Sequence, residues 1–288
     1  VISGSAYGPA CLARVFTRLI LACLLLLPAL PVAAADDHVP AAKASIALII
    51  DDLGNQLHQG RQAVALPGPV ACSFLPNAPH TPQLARMADA GNKEIMLHLP
   101  MQAVSDAAPE PGELTLDMTQ QQLMDTLQRH LTAVPGVSGI NNHQGSLLTR
   151  HPGHMAWLMQ GMVRHGPLFF VDSRTTTATV ALQMANEYGV PGISRKVFLD
   201  NVREPAAVLR QFRRLLAHAH ANGTALGIGH PNPETLDLLA RELPRLADYN
   251  VQLVPVRRLI EIDEGGNELW HASWSRSHKV AKNSKPSP

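Results

Sequence analysis

The chain has 288 residues, with 24 Lys and Arg against 23 Asp and Glu, and this near-neutral balance excludes the basic surface on which nucleic-acid binding depends. Apolar residues make up 45% and charged residues 16%, which excludes a disordered polar chain and provides for a large core. Three cysteines, Cys11, Cys23 and Cys72, are too few for a disulfide framework, and no CxxC motif is present.

The N-terminus reads as a removable secretory signal. Arg14 and Arg18 precede an apolar run over 19–35 that ends in small residues, with an A-x-A pattern at Ala33 and Ala35. Pro28 and Pro31 interrupt the run, against a membrane anchor, and only a weak lipobox precedes Cys23. Cleavage near Ala35 removes two basic residues and no acidic one, taking the formal charge from +1 to −1. The expected domains are a signal over 1–35, a linker over 36–44, one folded domain over 45–262 and a disordered basic tail over 263–288. An exported protein, periplasmic or extracellular, with no stable membrane span after cleavage, is the expectation. Cys72, alone after cleavage, reads as a small buried hydrophobe inside VACSFLP.

From residue 45 onward, short apolar runs alternate with amphipathic segments. Strands are predicted at 45–50, 69–74, 93–99, 136–140, 167–171, 224–229 and 251–256. Helices are predicted at 57–66, 82–90, 119–133, 152–165, 178–188, 205–221 and 233–246, several opening with Pro and closing at Gly. This alternation predicts an α/β fold with a mostly parallel sheet, and strands apolar throughout predict burial of both sheet faces. Neither GxGxxG nor GxxxxGK[ST] occurs, which counts against a nucleotide-binding fold. About seven βα units suit a (β/α) barrel somewhat smaller than the usual 250 or so residues.

Polar residues interrupt the apolar runs at corresponding places. LII runs into Asp51 and Asp52, IML into His98, GVSGI into Asn141, Asn142 and His143, LFFV into Asp172, and LGIG into His230. One such residue after a strand is as readily a helix cap or turn former as a functional group. Five together predict a site, because strand C-termini of a parallel sheet converge on one face. Asp51 and Asp52 are expected to point in opposite directions and take different tasks. Asp52, His98 and His143 supply one carboxylate and two imidazoles, a set suited to Zn²⁺ with room left for water. Bound metal acidifies that water and polarises a carbonyl, Asp51 takes the proton and His230 protonates a leaving amine, a combination for metal-assisted amide or ester hydrolysis. His58, His130 and His165 read as surface residues, His151 and His154 as a solvated helix face, and Asn222-Gly-Thr as a helix-terminal turn.

Taken together, ALIIDDLG, LPGPV, LHLPM, GINNHQGS, FFVDSRT, KVFLDN and IGHPNPETL resemble the divergent polysaccharide deacetylases, relatives of the nodulation-type chitooligosaccharide deacetylases, over about residues 45–260. The resemblance implies a distorted (β/α) barrel, a divalent metal, usually zinc, and removal of acetyl groups from an N-acetylated saccharide or envelope glycan. It implies Asp51 as catalytic base and Asp52 and His98 as metal ligands, with His143 completing the set. It implies His230 as general acid, with Asp172 and Arg174 tuning acid and base. Asn141, Asn142 and Ser173, within the matched motifs, are the expected substrate-binding residues. The better-known deacetylases carry His-x-x-x-His, whereas Gln102 stands four residues after His98; Gln144 occupies a position often taken by Met. A non-catalytic envelope protein that binds glycan or a protein partner is the competing expectation, and a metallophosphoesterase a weaker one. Only 12 residues are aromatic, and Tyr7, Phe16, Trp270 and Trp274 of these fall in the signal and tail, so a short or terminal saccharide is expected rather than a long polymer.

Overall fold

In the computed structural model, residues 43–105 and 109–265 are described. The expected signal lies outside them, as do most of the expected linker and tail. The elements in order are β1 (Ala44–Leu53), α1 (Leu57–Val64), β2 (Ala71–Phe74), α2 (Thr81–Ala90), β3 (Ile95–Met101), α3 (Gln120–Ala133), β4 (Gly139–Gln144) and α4 (Pro152–His165). They continue with β5 (Phe169–Asp172), α5 (Ala181–Glu187), β6 (Gly192–Ser194), β7 (Val197–Phe198), α6 (Pro205–Asn222), β8 (Thr224–Gly229), α7 (Pro233–Glu242) and β9 (Val251–Leu253). A last helix, α8, covers 256–265.

Every strand pairing is parallel, in the order β6-β5-β4-β3-β2-β1-β8-β7, with β9 beside the first residues of β1. The short segment 192–198 joins the two edges of this curled sheet. Its first part pairs with β5 and its second with β8, while the Arg195 N–H donates to the Asp172 carbonyl and the Lys196 N–H to that of Leu226. Among the described residues the sheet therefore has nine strands where about seven were expected. The two extra ones, β6 and β7, are three and two residues long, too short to leave a periodic signal.

Alternation along the strands divides the core in two. Ile46, Leu48, Ile50, Cys72, Phe74, Leu97, Ile140 and Phe170 pack outward against the helices, while Ala47, Ile49, Ala71, Met96, Phe169, Val171, Leu226 and Ile228 fill the interior. Cys72 is fully buried, as expected, and burial pushes its thiol up to about 12. Gly139 is required where it stands, since a Cβ there would lie 2.3 Å from the Phe169 ring.

The segment VQLVPV, expected to be one strand, is a three-residue strand followed by α8. Val256, Leu259 and Ile260, at helical spacing, close the interior from below. Glu94, just ahead of β3, accepts from the backbone N–H groups of Val256 and Arg257, and the Arg257 guanidinium donates to the carbonyls of Ser138 and Pro167. These partners all precede strands, so α8 seals the N-terminal end of the barrel and leaves the C-terminal end for chemistry. Two other expectations fail on burial. His130 is buried with Nε2 2.7 Å from the Gly112 carbonyl, and His154 is buried with its ring against Trp157. Asn222 does form a helix-terminal turn, bonding the His218 carbonyl ahead of Gly223 at φ 81°. No helix among the described residues is long and apolar enough to cross a membrane.

Candidate functional site

The interior parity that places Ala47 and Ile49 in the core also places Asp51 there at the upper end of β1. Ser73 follows Ala71 in the same way on β2, His98 follows Met96 on β3, and Asn141 and His143 follow Gly139 on β4. The barrel interior thus changes from apolar to polar at its C-terminal end. Asp52 departs from simple alternation. Its backbone is left-handed, φ 56°, where the β1–β2 register shifts, and Asp51 and Asp52 consequently both address His98 instead of pointing apart as expected.

Three donor atoms meet at one point. His143 Nδ1 lies 3.0 Å from Asp52 Oδ1 and 3.0 Å from His98 Nε2, and His98 Nε2 lies 3.2 Å from Asp52 Oδ1. Asp52 Oδ1 is buried yet takes no hydrogen bond in acceptable geometry. An orphaned carboxylate oxygen facing two ring nitrogens has the chemistry of a cation site, and donors of a tetrahedral zinc site, each about 2.0–2.2 Å from the ion, stand at about this mutual separation. The set fits a divalent cation. Burial would raise the Asp52 pKa, but the adjoining imidazoles His143 and His98 hold it well below the usual carboxylate range. For His98, burial works downward, and the charge of Asp51 with the contact to Asp52 outweighs it, so its pKa is raised; metal binding must displace that proton.

Asn141 organises this cluster. Its Oδ1 lies 3.0 Å from His98 Nδ1, which fixes that nitrogen as the protonated one and leaves Nε2 for the cation. The same oxygen accepts from Ser73 Oγ at 2.6 Å, and Nδ2 donates to both Asp51 oxygens at 2.8 and 3.0 Å. Gln102 does not reach the cluster: its Oε1 accepts from the Leu116 N–H, and His143, from the neighbouring strand, supplies the second imidazole. On the outer side of His143, Nε2 faces Glu110 Oε2 at 3.6 Å, and Gln144 turns toward the same carboxylate, donating to Oε1 at 3.0 Å.

His230 stands opposite, just beyond β8. Its Nδ1 lies 2.9 Å from Asp200 Oδ1, its N–H donates to Asp200 Oδ2, and Nε2 is 3.7 Å from Asp52 Oδ2. Thr235 Oγ1 and Asn232 Nδ2 also donate to Asp200, so this buried carboxylate is fully engaged. Burial depresses the His230 pKa, but the Asp200 hydrogen bond and charge, with Asp51 and Asp52 beyond, raise it overall. Asp200 itself is held below its usual range by the same contacts despite its burial.

The remaining expected residues serve the scaffold around this cluster. Asp172 has the parity of Phe170, which packs outward, and accepts from the Arg174 N–H and Thr179 Oγ1 in its own loop. The Arg174 side chain is exposed; Arg195 instead lies beneath the loop, donating to the carbonyls of Ser173 and Arg174, with its charge acting on Asp172 and Asp51. Asn142 is buried between the Gln144 carbonyl and the Ser173 N–H, and Ser173 is buried beside Asn141. Asn141, Asn142 and Ser173 therefore hold the site together from behind and do not face the opening. Sequence reasoning missed Asp200, Arg195, Ser73 and Glu110. Asp200 had a signal, since KVFL runs into it just as LFFV runs into Asp172.

A cleft of about 360 Å³ opens beside Asp52 and His230, walled by Gly54, Asn55, Gln56, Gln59, Arg203 and Asn232. Gly54 adopts φ +120° under it, and a Cβ there would lie 2.2 Å from Thr81 Oγ1.

Residues 48–260 match the family model of the divergent polysaccharide deacetylases. An uncharacterized protein of Haemophilus influenzae is 36% identical over 218 residues, 76% of this chain and 77% of that one. The uncharacterized protein YibQ of Escherichia coli (strain K12) is 35% identical over 200 residues, 69% of this chain and 62% of that one. The crystal structure of an uncharacterized protein of Agrobacterium tumefaciens C58 superposes with a TM-score of 0.73 at 21% identity, covering 76% of this chain and 90% of that one, which establishes a common fold. By the match over most of its length, this chain belongs to the divergent polysaccharide deacetylase family.

Proposed function

We propose that this chain is an exported, metal-dependent hydrolase that removes acetyl groups from N-acetylated saccharides, acting in the periplasm or outside the cell. One observation supports the reading: three atoms able to ligate a cation converge between a carboxylate held by one buried partner and a histidine held by another. Asp51 is fixed by Asn141, and His230 by Asp200. The export component rests on the N-terminal sequence alone.

A divalent cation held by Asp52, His98 and His143, for which zinc suits the donor set, would supply Lewis acidity to the acetyl carbonyl and acidify water. Asp51 is the base that receives the proton of the attacking water, and the two bonds from Asn141 keep its carboxylate in one orientation. His230 holds a proton at Nε2, because Nδ1 is committed to Asp200 and the surrounding carboxylates favour the imidazolium. That proton passes to the nitrogen of the departing amine, so free amino sugar and acetate leave. Asp52 is held ionised by its two imidazoles and remains a ligand, which separates it from Asp51 in role although the two are adjacent in sequence.

Acetate release from N-acetylglucosamine oligomers, measured before and after chelation and again after zinc is restored, tests the reading. The expected result is release that chelator abolishes and zinc restores. Absence of metal-dependent release across a panel of N-acetylated glycans, from folded and zinc-loaded protein, contradicts it.

A further inference from the structure

Among the described residues, no Phe, Tyr or Trp lines the cleft beside His230. Polar residues and prolines, Asn55, Gln56, Gln59, Arg203, Pro231 and Asn232, make its wall around His230, so a sugar ring entering it finds no Trp or Tyr face there on which to stack. Recognition there must come from hydrogen bonds and charge. Asn55, Gln56, Gln59 and Arg203 make no side-chain hydrogen bond or ion pair among the described residues, so four polar groups are available together on one wall. Among the described residues, Arg203 is the permanent cation of this lining, and Asp52, which faces His98 and His143, is its one carboxylate. Two helices also start at the cleft, α1 at Gln56 and α7 at Asn232, and neither has a side-chain cap; Glu234 in the first turn of α7 offsets that end, so it is the end of α1 that adds to the field of Arg203. The volume, about 360 Å³, is at the lower end for a small-molecule site and suits one sugar unit with a substituent.

The geometry points to a subsite for an anionic sugar: the saccharide this protein takes carries a carboxylate, and Arg203 receives it in the cleft shared with Asp52 and His230. A guanidinium presents paired N–H donors that match a carboxylate in two parallel charge-assisted bonds, which a neutral hydroxyl cannot reproduce. This inference deepens the deacetylase reading and relies on it for the acetyl group; the carboxylate preference stands on the cleft itself. Arg203 thereby sets specificity and takes no part in proton transfer.

Binding can be measured without turnover. In the zinc-loaded full chain carrying Asp51→Asn, titration calorimetry compares N-acetylglucosamine with N-acetylmuramic acid, which differ by one carboxylate-bearing ether. The expected result is about tenfold tighter binding of the acidic sugar, a preference that shrinks with added salt because the pair is partly exposed. Arg203→Gln is expected to remove the preference and Arg203→Lys to keep part of it; Arg203 is exposed, so unchanged thermal unfolding of both variants controls for folding. Equal affinity for the two sugars, binding of neither, or a preference that survives Arg203→Gln overturns the proposal. Arg203-dependent binding without acetate release from the unmutated chain refutes the catalytic reading and leaves this one intact, whereas acetate release with no acid preference does the reverse.

Discussion

Asn141→Ala separates the proposed organisation from a merely crowded polar interior. Asn141 is fully buried, and its amide serves three groups that are themselves buried: Asp51, Ser73 and His98. Truncation leaves a carboxylate short of a donor and a hydroxyl and an imidazole N–H short of an acceptor. Each such group costs about 1–3 kcal/mol when nothing replaces the partner. Water entering the space of the lost amide recovers part of this, so a net loss of about 2–4 kcal/mol is expected. At the entropy of unfolding of a domain this size, that lowers the melting temperature by about 5–15 °C. The effect on the cation is separate. Without the Asn141 oxygen, His98 is free to turn or change tautomer, and loss of such an outer partner costs about 10–100-fold in metal affinity. Zinc affinity by chelator competition, measured at a temperature where the variant is folded, reads the second effect independently of the first. A variant that melts lower yet binds zinc as tightly as the unmutated chain refutes the idea that Asn141 orients His98.

Two further perturbations act at opposite ends of the barrel. Asp200→Asn keeps a hydrogen-bonding group beside His230 Nδ1 but removes the charge that raises its pKa, so the alkaline fall of the pH–rate profile, expected where His230 loses its proton, moves to lower pH; an unmoved profile contradicts the role of His230 as acid. The same pair links stability to pH. The raised His230 pKa contributes stability that is present below the unfolded value and lost as pH rises through the folded one, and the depressed Asp200 pKa contributes stability lost as pH falls through its folded value. Denaturant titrations across pH should therefore show the unmutated chain losing, relative to Asp200→Asn, on both sides of an intermediate window. At the sealed end, Glu94→Ala deprives the start of α8 of its acceptor and is expected to cost about 1–2 kcal/mol in denaturant unfolding with little change in zinc affinity.

The sequence disclosed the site chiefly through what ends each strand. Asp51, His98, His143 and His230 follow apolar runs, and parallel strands of one barrel bring such ends together whatever lies between them. It also fixed helix positions closely, as at Pro152–His165, because proline at the start and glycine after the end are local signals. What stayed hidden depends on contacts that are distant along the chain. Asp200 meets His230 across 30 residues from behind a two-residue strand, and no periodicity marks so short an element. The shared orientation of Asp51 and Asp52 follows from one left-handed residue, and simple alternation predicts the opposite. Parity does explain why Asp172 falls outside the cluster. It leaves β5 on the outward face, two residues after the outward-packing Phe170. The same parity makes Ser73 and Asn141 inner neighbours of the charged groups, where they bond to each other and hold the site from behind.

Metal stoichiometry is the most direct test, since the roles of Asp51, His230 and Asn141 all take their direction from the point where Asp52, His98 and His143 meet. Elemental analysis of the unmutated chain, His98→Ala and His143→Ala, each purified in zinc-containing buffer, gives the result without reference to substrate. The expected result is about one zinc per chain in the first and loss of that zinc in both variants, because removing one imidazole leaves only two protein donors where about three are needed. Zinc retained at full stoichiometry by His143→Ala contradicts this, since the cation would then be held without the second imidazole.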